Sequence, residues 1–306
     1  MMTGLANLIP ARTHIDFLRW RQITIVASGI VCLAALILYF TVGLNYGVDF
    51  RGGIMIEIRA PQAIDMAAMR STLGRLNVGE AELQQFGQPT DAIIRIENQQ
   101  GDEKAQLRAV DTVRGALGDK VEFRRVEFVG PKVGAELVEK GIIATVLTIL
   151  GIAIYVWFRF DWQFGVAAIV SILHDVMATI GLFAITGMSF DLTSLAAVLT
   201  IAGYSINDTV VIYDRIRENL KLVKKGSFID LVNLSVNQTF GRTILTSFTT
   251  MLVTLSLLLF GGEVLNDFAF CLFIGFISGV YSTVYIASPL LISWQKKVPV
   301  KVAVRK

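Results

Sequence analysis

Six stretches of this chain, 23–43, 138–158, 165–187, 192–213, 243–260 and 268–292, are mostly apolar and about 20 residues long. Each is long enough to cross a hydrocarbon layer of about 30 Å as a helix. Apolar residues make up 54% of the chain and charged ones only 17%. Most of the stretches lack the polar face that a soluble core helix would keep. The fold class expected is a polytopic α-helical membrane protein.

Orientation follows from lysine and arginine near the span ends. Arg12, Arg19 and Arg21 precede the first span and Arg159 joins the second to the third. Arg215, Arg217, Lys221, Lys224 and Lys225 follow the fourth, and Lys296, Lys297, Lys301, Arg305 and Lys306 lie in the tail 293–306. The short loops 189–191 and 261–267 carry acids and no base. With six spans every basic patch falls on one side, so both termini are expected to be cytoplasmic. The formal net charge of +3 then reflects topology and anionic headgroups, with no nucleic-acid partner. The first span, 23–44 with its margin, is too long for a signal peptide. Tyr46-Gly47-Val48-Asp49 after it offers no small-x-small cleavage pattern, so it reads as an uncleaved anchor. Before it, residues 1–22 place Leu5, Leu8, Ile9, Ile15, Phe17, Leu18 and Trp20 among basic residues, which suits an interfacial helix. Cys32 and Cys271 both fall inside spans, where neither a disulfide nor a metal site is expected.

Residues 45–137 are charged and lie between spans one and two, hence on the outer side. Ile54, Ile56 and Ile58 alternate with Met55, Glu57 and Arg59 as in a strand. Met66, Met69, Leu73 and Leu76 recur at helical spacing. Strands are predicted at 80–86 and 92–97, a second helix through Leu107, Val110, Val113 and Leu117, and a last strand from Val121. The last strand changes phase between Phe123 and Val126, which predicts a bulge. The order β-α-β-β-α-β is that of a small α+β ferredoxin-like domain. It holds no phosphate loop, catalytic triad or metal cluster, so no cofactor is expected and the domain reads as a contact module.

Ionisable residues at membrane depth carry the functional signal, because a charge there costs about 2.5–3.5 kcal/mol or more. Asp208 lies about 24 Å into a helix that starts at Leu192. Thr200, Tyr204 and Asp208 fall at i, i+4 and i+8, with Asn207 beside them; the alternative is that Asp208 marks the inner end of the span. Arg242 opens span five, with Thr246, Thr249 and Thr250 above it, either as a snorkelling side chain or within reach of Asp208. His174-Asp175 lie mid-span, Asp175 sharing a face with Ser171 and Thr179, as a structural pair or a proton relay. In span six Cys271, Gly275, Gly279 and Thr283 recur every four residues, a spacing for close helix packing.

Several segments together resemble the SecF branch of the SecD/SecF family of bacterial protein-export membrane subunits. They are Gly47-Val48-Asp49-Phe50-Arg51-Gly52-Gly53, Val129-Gly130-Pro131-Lys132-Val133-Gly134, residues 201–219, and Gly241-Arg242-Thr243-Ile244 through Thr250. The resemblance covers almost the whole chain and implies half of a resistance-nodulation-division bundle, with SecD supplying the other six spans. It implies a multi-pass protein of the bacterial inner membrane with residues 45–137 periplasmic. It also implies association with SecD, YajC, YidC and the SecYEG channel, and unfolded translocating polypeptide as client. The proton gradient would promote late translocation and release on the outer side, with Asp208 and Arg242 in proton movement. Asn207, Tyr204, His174 and Asp175 are read from their positions in the spans, apart from the resemblance, as relay or polar support. Desolvation favours a neutral Asp208 and a nearby guanidinium favours the charged form, so a carrier must alternate between the two.

Three other readings are weighed. Tyr213-Asp214 resembles half of an intramembrane aspartyl protease site, but its Gly-x-Gly-Asp partner is missing from the sequence. A stand-alone small-molecule exporter built from two copies is a second, and a passive scaffold for SecD a third. The sequence thus points away from an enzyme and toward a transport subunit.

Overall fold

The computed structural model describes residues 13–79, 81–85, 87–99, 103–222, 226–261 and 263–295. Arg12, Lys224, Lys225, the basic residues of 296–306, and Leu5, Leu8 and Ile9 of the expected interfacial helix lie outside the described residues. In chain order the first elements are α1 (Arg21–Thr41), β1 (Asn45–Tyr46), α2 (Val48–Arg51), β2 (Gly53–Arg59), α3 (Met66–Leu73), β3 (Ala81–Gln85) and β4 (Asp91–Ile96). There follow α4 (Glu103–Leu117), β5 (Glu122–Val129), α5 (Pro131–Arg159), α6 (Trp162–Thr186), β6 (Ser189–Phe190), α7 (Leu192–Leu222) and α8 (Phe228–Phe260). Last come α9 (Glu263–Ser282) and α10 (Ser288–Gln295), joined by a π turn at Thr283–Ala287. The chain forms two compact units, one helical and one built around residues 46–144 with 189–192.

Among the described residues, six segments are long and apolar enough to span a membrane: Phe17–Thr41, Lys132–Arg159, Trp162–Thr186, Leu192–Leu222, Phe228–Phe260 and Leu265–Trp294, the second and fourth beginning in the unit built around residues 46–144 with 189–192. The third, fourth and sixth are half buried and form the centre of the helical unit, while the others present mostly exposed apolar surface. Near one end, Tyr213 packs edge-on against Phe160 and Phe164, with ring centroids 5.7 and 4.9 Å away. Ile212, Ile216, Val232 and Val236 belong to the same core.

Two boundaries differ from the sequence expectation. Helix α8 starts at Phe228, capped by Ser227 and Asp230, so Arg242 lies well inside the helix and does not open it. Its added turns look polar in sequence but bury Leu231, Val232, Ser235 and Val236, so an amphipathic face extends the apolar span. Before α1, Phe17 and Leu18 are buried in the core and do not lie in an interfacial face. They are held there by two asparagines of α8 one turn apart. Asn237 Oδ1 accepts from the Thr13 hydroxyl and the Ile15 N–H, both at 2.8 Å, and its Nδ2 donates to the Ile15 carbonyl at 2.8 Å. Asn233 Oδ1 accepts from the Phe17 N–H at 3.0 Å. Replacing Asn237 with Ala leaves the Ile15 N–H without its acceptor, at a cost of about 2 kcal/mol, while the Ile15 carbonyl keeps Asn233 Nδ2 at 3.1 Å. Hydrogen exchange at the Ile15 amide should then quicken more than tenfold; unchanged exchange would show that Asn233 and Phe17 hold the segment without Asn237.

The π turn has a local cause. Pro289 lacks the N–H that would bond the Tyr285 carbonyl four residues back. That carbonyl instead accepts from the Thr24 hydroxyl of α1 at 3.4 Å. Ser288 closes the wide turn, donating to the Thr283 carbonyl through its backbone N–H and, at 2.9 Å, through its hydroxyl.

The second unit carries a four-stranded sheet in the order β3-β4-β2-β5, all pairs antiparallel. Ile54, Ile56 and Ile58 face one way and pack with Ile94, Ile96, Leu73, Val110 and Val113. Ile58 pairs with Phe123 and Glu57 with Arg125, so Arg124 is the extra residue of the bulge expected there. On strand β2, Arg59 reaches the buried Asp91 with its Nε at 2.5 Å and Nη2 at 2.8 Å. The segment before β2 is a close backbone joint. The Leu192 N–H donates to Asp49 Oδ2 at 3.0 Å, and the Gly47 N–H to the Phe190 carbonyl at 2.8 Å. Gly134 of α5 lies against this turn; a Cβ there would sit 3.3 Å from the Gly52 nitrogen. Gly52 and Gly53 both take positive φ, +73° and +117°, which other residues adopt only under strain.

Candidate functional site

The apolar helices contain two buried carboxylates whose surroundings differ. Asp175, at 0% exposure in the middle of α6, is fully partnered. Its Oδ1 accepts from the Ser278 hydroxyl at 2.7 Å and lies 3.2 Å from His174 Nδ1. Its Oδ2 accepts from the Ser205 and Ser282 hydroxyls at 2.7 and 2.6 Å. Three helices, α6, α7 and α9, therefore meet on one side chain. Hydroxyl contacts of this length suit a charged acceptor. Thr179, on the same face, donates back to the Asp175 carbonyl at 2.8 Å and does not reach the carboxylate.

Asp208, on α7, is only 4% exposed, yet its Oδ2 has no hydrogen-bond partner among the described residues. Nor does it enter an ion pair among them. Arg242 on α8 is exposed. The two ionisable groups singled out in the sequence thus form no ion pair here, one being buried and the other exposed. Next to Arg242, Thr243 is buried with its hydroxyl unpartnered. Thr200, Tyr204 and Asp208 lie along one face of the continuous helix α7, but their polar groups have different surroundings. Thr200 donates to the Ala196 carbonyl at 2.7 Å and Tyr204 donates to Ser247 Oγ at 3.1 Å, while Asn207 is exposed.

Along α8, Thr246, Thr249, Thr250, Thr254 and Ser256 all donate to carbonyls of their own helix. This back-bonding lets a hydroxyl-rich helix sit in an apolar surround. On α9, a Cβ added to Gly275 would overlap Ile201, and one at Gly279 would sit 3.3 Å from the Ser205 Cβ. The glycine row thus lets α9 approach α7 closely enough for Ser282 and Ser205 to share Asp175. Gly275→Ala should force Ile201, which is 1% exposed, from its place at a cost of about 1–3 kcal/mol. A lowered melting temperature in detergent would register this.

Ser205, Ser278 and Ser282 were not singled out in the sequence. Ser278 and Ser282 are four residues apart and interleave with Gly275 and Gly279, a pattern that marks a polar line on a close-packed helix face. Asp214, considered as half of a protease site, is instead ion-paired with Arg159 at 2.7 Å and 43% exposed. Among the described residues, no group of three or more His, Cys, Asp or Glu is arranged to hold a metal.

Residues 109–297 match the family model of the protein export membrane protein SecD/SecF, C-terminal, and residues 39–63 match the SecD/SecF GG motif. The chain belongs to the SecD/SecF family. The protein translocase subunit SecF of Rickettsia conorii is 42% identical over 93% of each chain, and that of Desulfurispirillum indicum 40% identical over 93% of each. The crystal structure of SecDF from Thermus thermophilus, a translocon-associated membrane protein, superposes with a TM-score of 0.86 at 34% identity. It covers 94% of this chain and 40% of its own. SecDF in its super-membrane-facing form gives 0.68 at 35% identity, covering 93% and 39%. SecF membership supports a role in Sec protein export and a multi-pass inner-membrane location, and the names of these relatives fit transport rather than catalysis. The GG motif of the SecD/SecF family falls on the joint at Asp49–Gly53, where the two glycines adopt the positive φ values described above.

Proposed function

We propose that this SecF-type chain works with a SecD subunit to use the proton-motive force in late translocation and release of unfolded polypeptide on the periplasmic side. The observation that carries the reading is Asp208, a buried carboxylate in an apolar helix, with an oxygen that has no partner among the described residues. Such a group is costly unless it is neutral or later finds a partner. Arg242 is the partner proposed for the charged state; in the neutral state the two are proposed to part.

A second half is called for by the surface beside it. Ala196, Thr200, Gly203 and Asn207 form one exposed face of α7, and Arg242 and Thr249 are exposed on α8. Leaving Asn and Arg against hydrocarbon costs several kcal/mol, whereas a facing six-helix half would cover them, and coupling sites of repeat transporters lie at such interfaces. SecD is the proposed cover, with YajC, YidC and SecYEG as associates. Both termini are proposed to be cytoplasmic, and residues 45–137 to be a ferredoxin-like periplasmic part that meets the client. The alternatives are a stand-alone exporter and a passive scaffold.

Purification from bacterial membranes in mild detergent separates the proposal from the exporter; the scaffold, which would also bring SecD with it, is tested by Asp208→Asn. A stoichiometric SecD-like partner is the expected result. Recovery as a self-sufficient homodimer that moves small molecules would replace the proposal with the exporter.

A further inference from the structure

We propose that Asp175 is a second proton-holding carboxylate of the membrane unit, switched between charged and neutral forms by a pivot of the Ser282 hydroxyl. The inference rests on proton use by this chain, but on a different residue from the coupling pair. A charged carboxylate only accepts hydrogen bonds, whereas its neutral acid must donate one. In the arrangement seen, the Ser205, Ser278 and Ser282 hydroxyl oxygens lie 2.6–2.7 Å from the Asp175 oxygens, and with all three donating the cage suits the charged form. Among the described residues, no Lys or Arg pairs with it, and His174 is its one ionisable contact.

The neutral form needs an acceptor for the new O–H, and the cage contains one. Ser282 Oγ lies 2.6 Å from Asp175 Oδ2 and also 3.1 Å from the Gly279 carbonyl. When one proton binds Oδ2, that O–H can donate to Ser282 Oγ while the Ser282 hydroxyl turns to Gly279. Ser278 keeps its bond to Oδ1. One proton is taken up, one hydrogen bond reverses and one is redirected, and no heavy atom has to move. Both protonation states are therefore satisfied at a site with 0% exposure, where an unsatisfied one would be expensive.

The consequence is mechanical. In the charged form three charge-assisted bonds tie α6 to α7 and α9; neutralisation weakens them to ordinary ones. Titratable groups near the cage are His174 on α6, Tyr281 on α9 with its ring 5.9 Å from His174, Cys32 on α1, and Asp208 three residues beyond Ser205 on α7. His174 and Cys32 together line a cavity of about 390 Å³ between α1, α6 and α10.

The test is infrared spectroscopy of the SecD-paired complex in proteoliposomes, following protonated carboxyl C=O bands as pH is lowered. One band should vanish in Asp175→Asn and a different one in Asp208→Asn. Ser282→Ala, which removes the pivot, should move the Asp175 band to higher frequency and leave the Asp208 band in place; Ser282→Thr should restore it. If Asp175→Asn does not assemble, the Ser282 pair decides alone. Spectra of Asp175→Asn or Ser282→Ala identical to the parent would overturn the inference. An absent Asp208 band with the Asp175 band intact would instead sink the coupling pair and leave this site standing.

Discussion

Asp208→Asn should assemble normally and yet make export insensitive to the proton gradient. The substitution keeps shape and removes titration. No hydrogen bond is lost at Oδ2, which has no partner among the described residues, so the helix packing has no reason to change. Each proton crossing 100 mV supplies about 2.3 kcal/mol, enough to bias a two-state rocking of the helices by more than tenfold. Export by membrane vesicles, measured with and without an imposed gradient, should therefore lose a stimulation of that order. A full gradient response in the variant would leave Asp208 and Arg242 as ordinary packing residues and favour the scaffold.

Gly53→Ala should loosen the whole sheet of the second unit. Gly53 sits at φ +117°, and a Cβ there would come within 2.6 Å of the Ile96 carbonyl oxygen. That atom is backbone in a central strand and cannot swing aside. Positive φ alone costs about 1–3 kcal/mol for a non-glycine residue, and the overlap adds to it, so a loss of about 3 kcal/mol or more is expected. Against a domain stability of about 5–15 kcal/mol this is large. In the intact chain, amide exchange in β2 and β4 should rise about a hundredfold. Exchange at the parent rate would mean that the start of β2 shifts to accept the methyl group.

Legibility in the sequence followed the range of the forces involved. The alternation of Ile54, Ile56 and Ile58 and the phase change before Val126 are local, and strand β2 and the bulge at Arg124 appear where that pattern puts them. The start of α8 was placed too late because residues 228–241 mix Asn, Gln and Ser with valine, and only packing shows that the valines share a buried face. Asp175 was visible as an oddity, but its role was not. Its serine partners lie 30, 103 and 107 residues away, and a serine in an apolar helix carries no mark of what it faces.

By itself the sequence determined six segments apolar enough to cross a membrane, a charged α+β insert between the first two, and acids inside apolar segments. Those are one-dimensional facts, since hydropathy and period are properties of neighbours along the chain. Which acid is caged and which is left with an open oxygen was decided only by tertiary structure. Asp175 and Asp208 both sit in helices apolar enough to cross a membrane, and what separates them is that α9, thinned by glycine, comes close enough to bring two hydroxyls to the first. None of the described residues does the same for Oδ2 of the second.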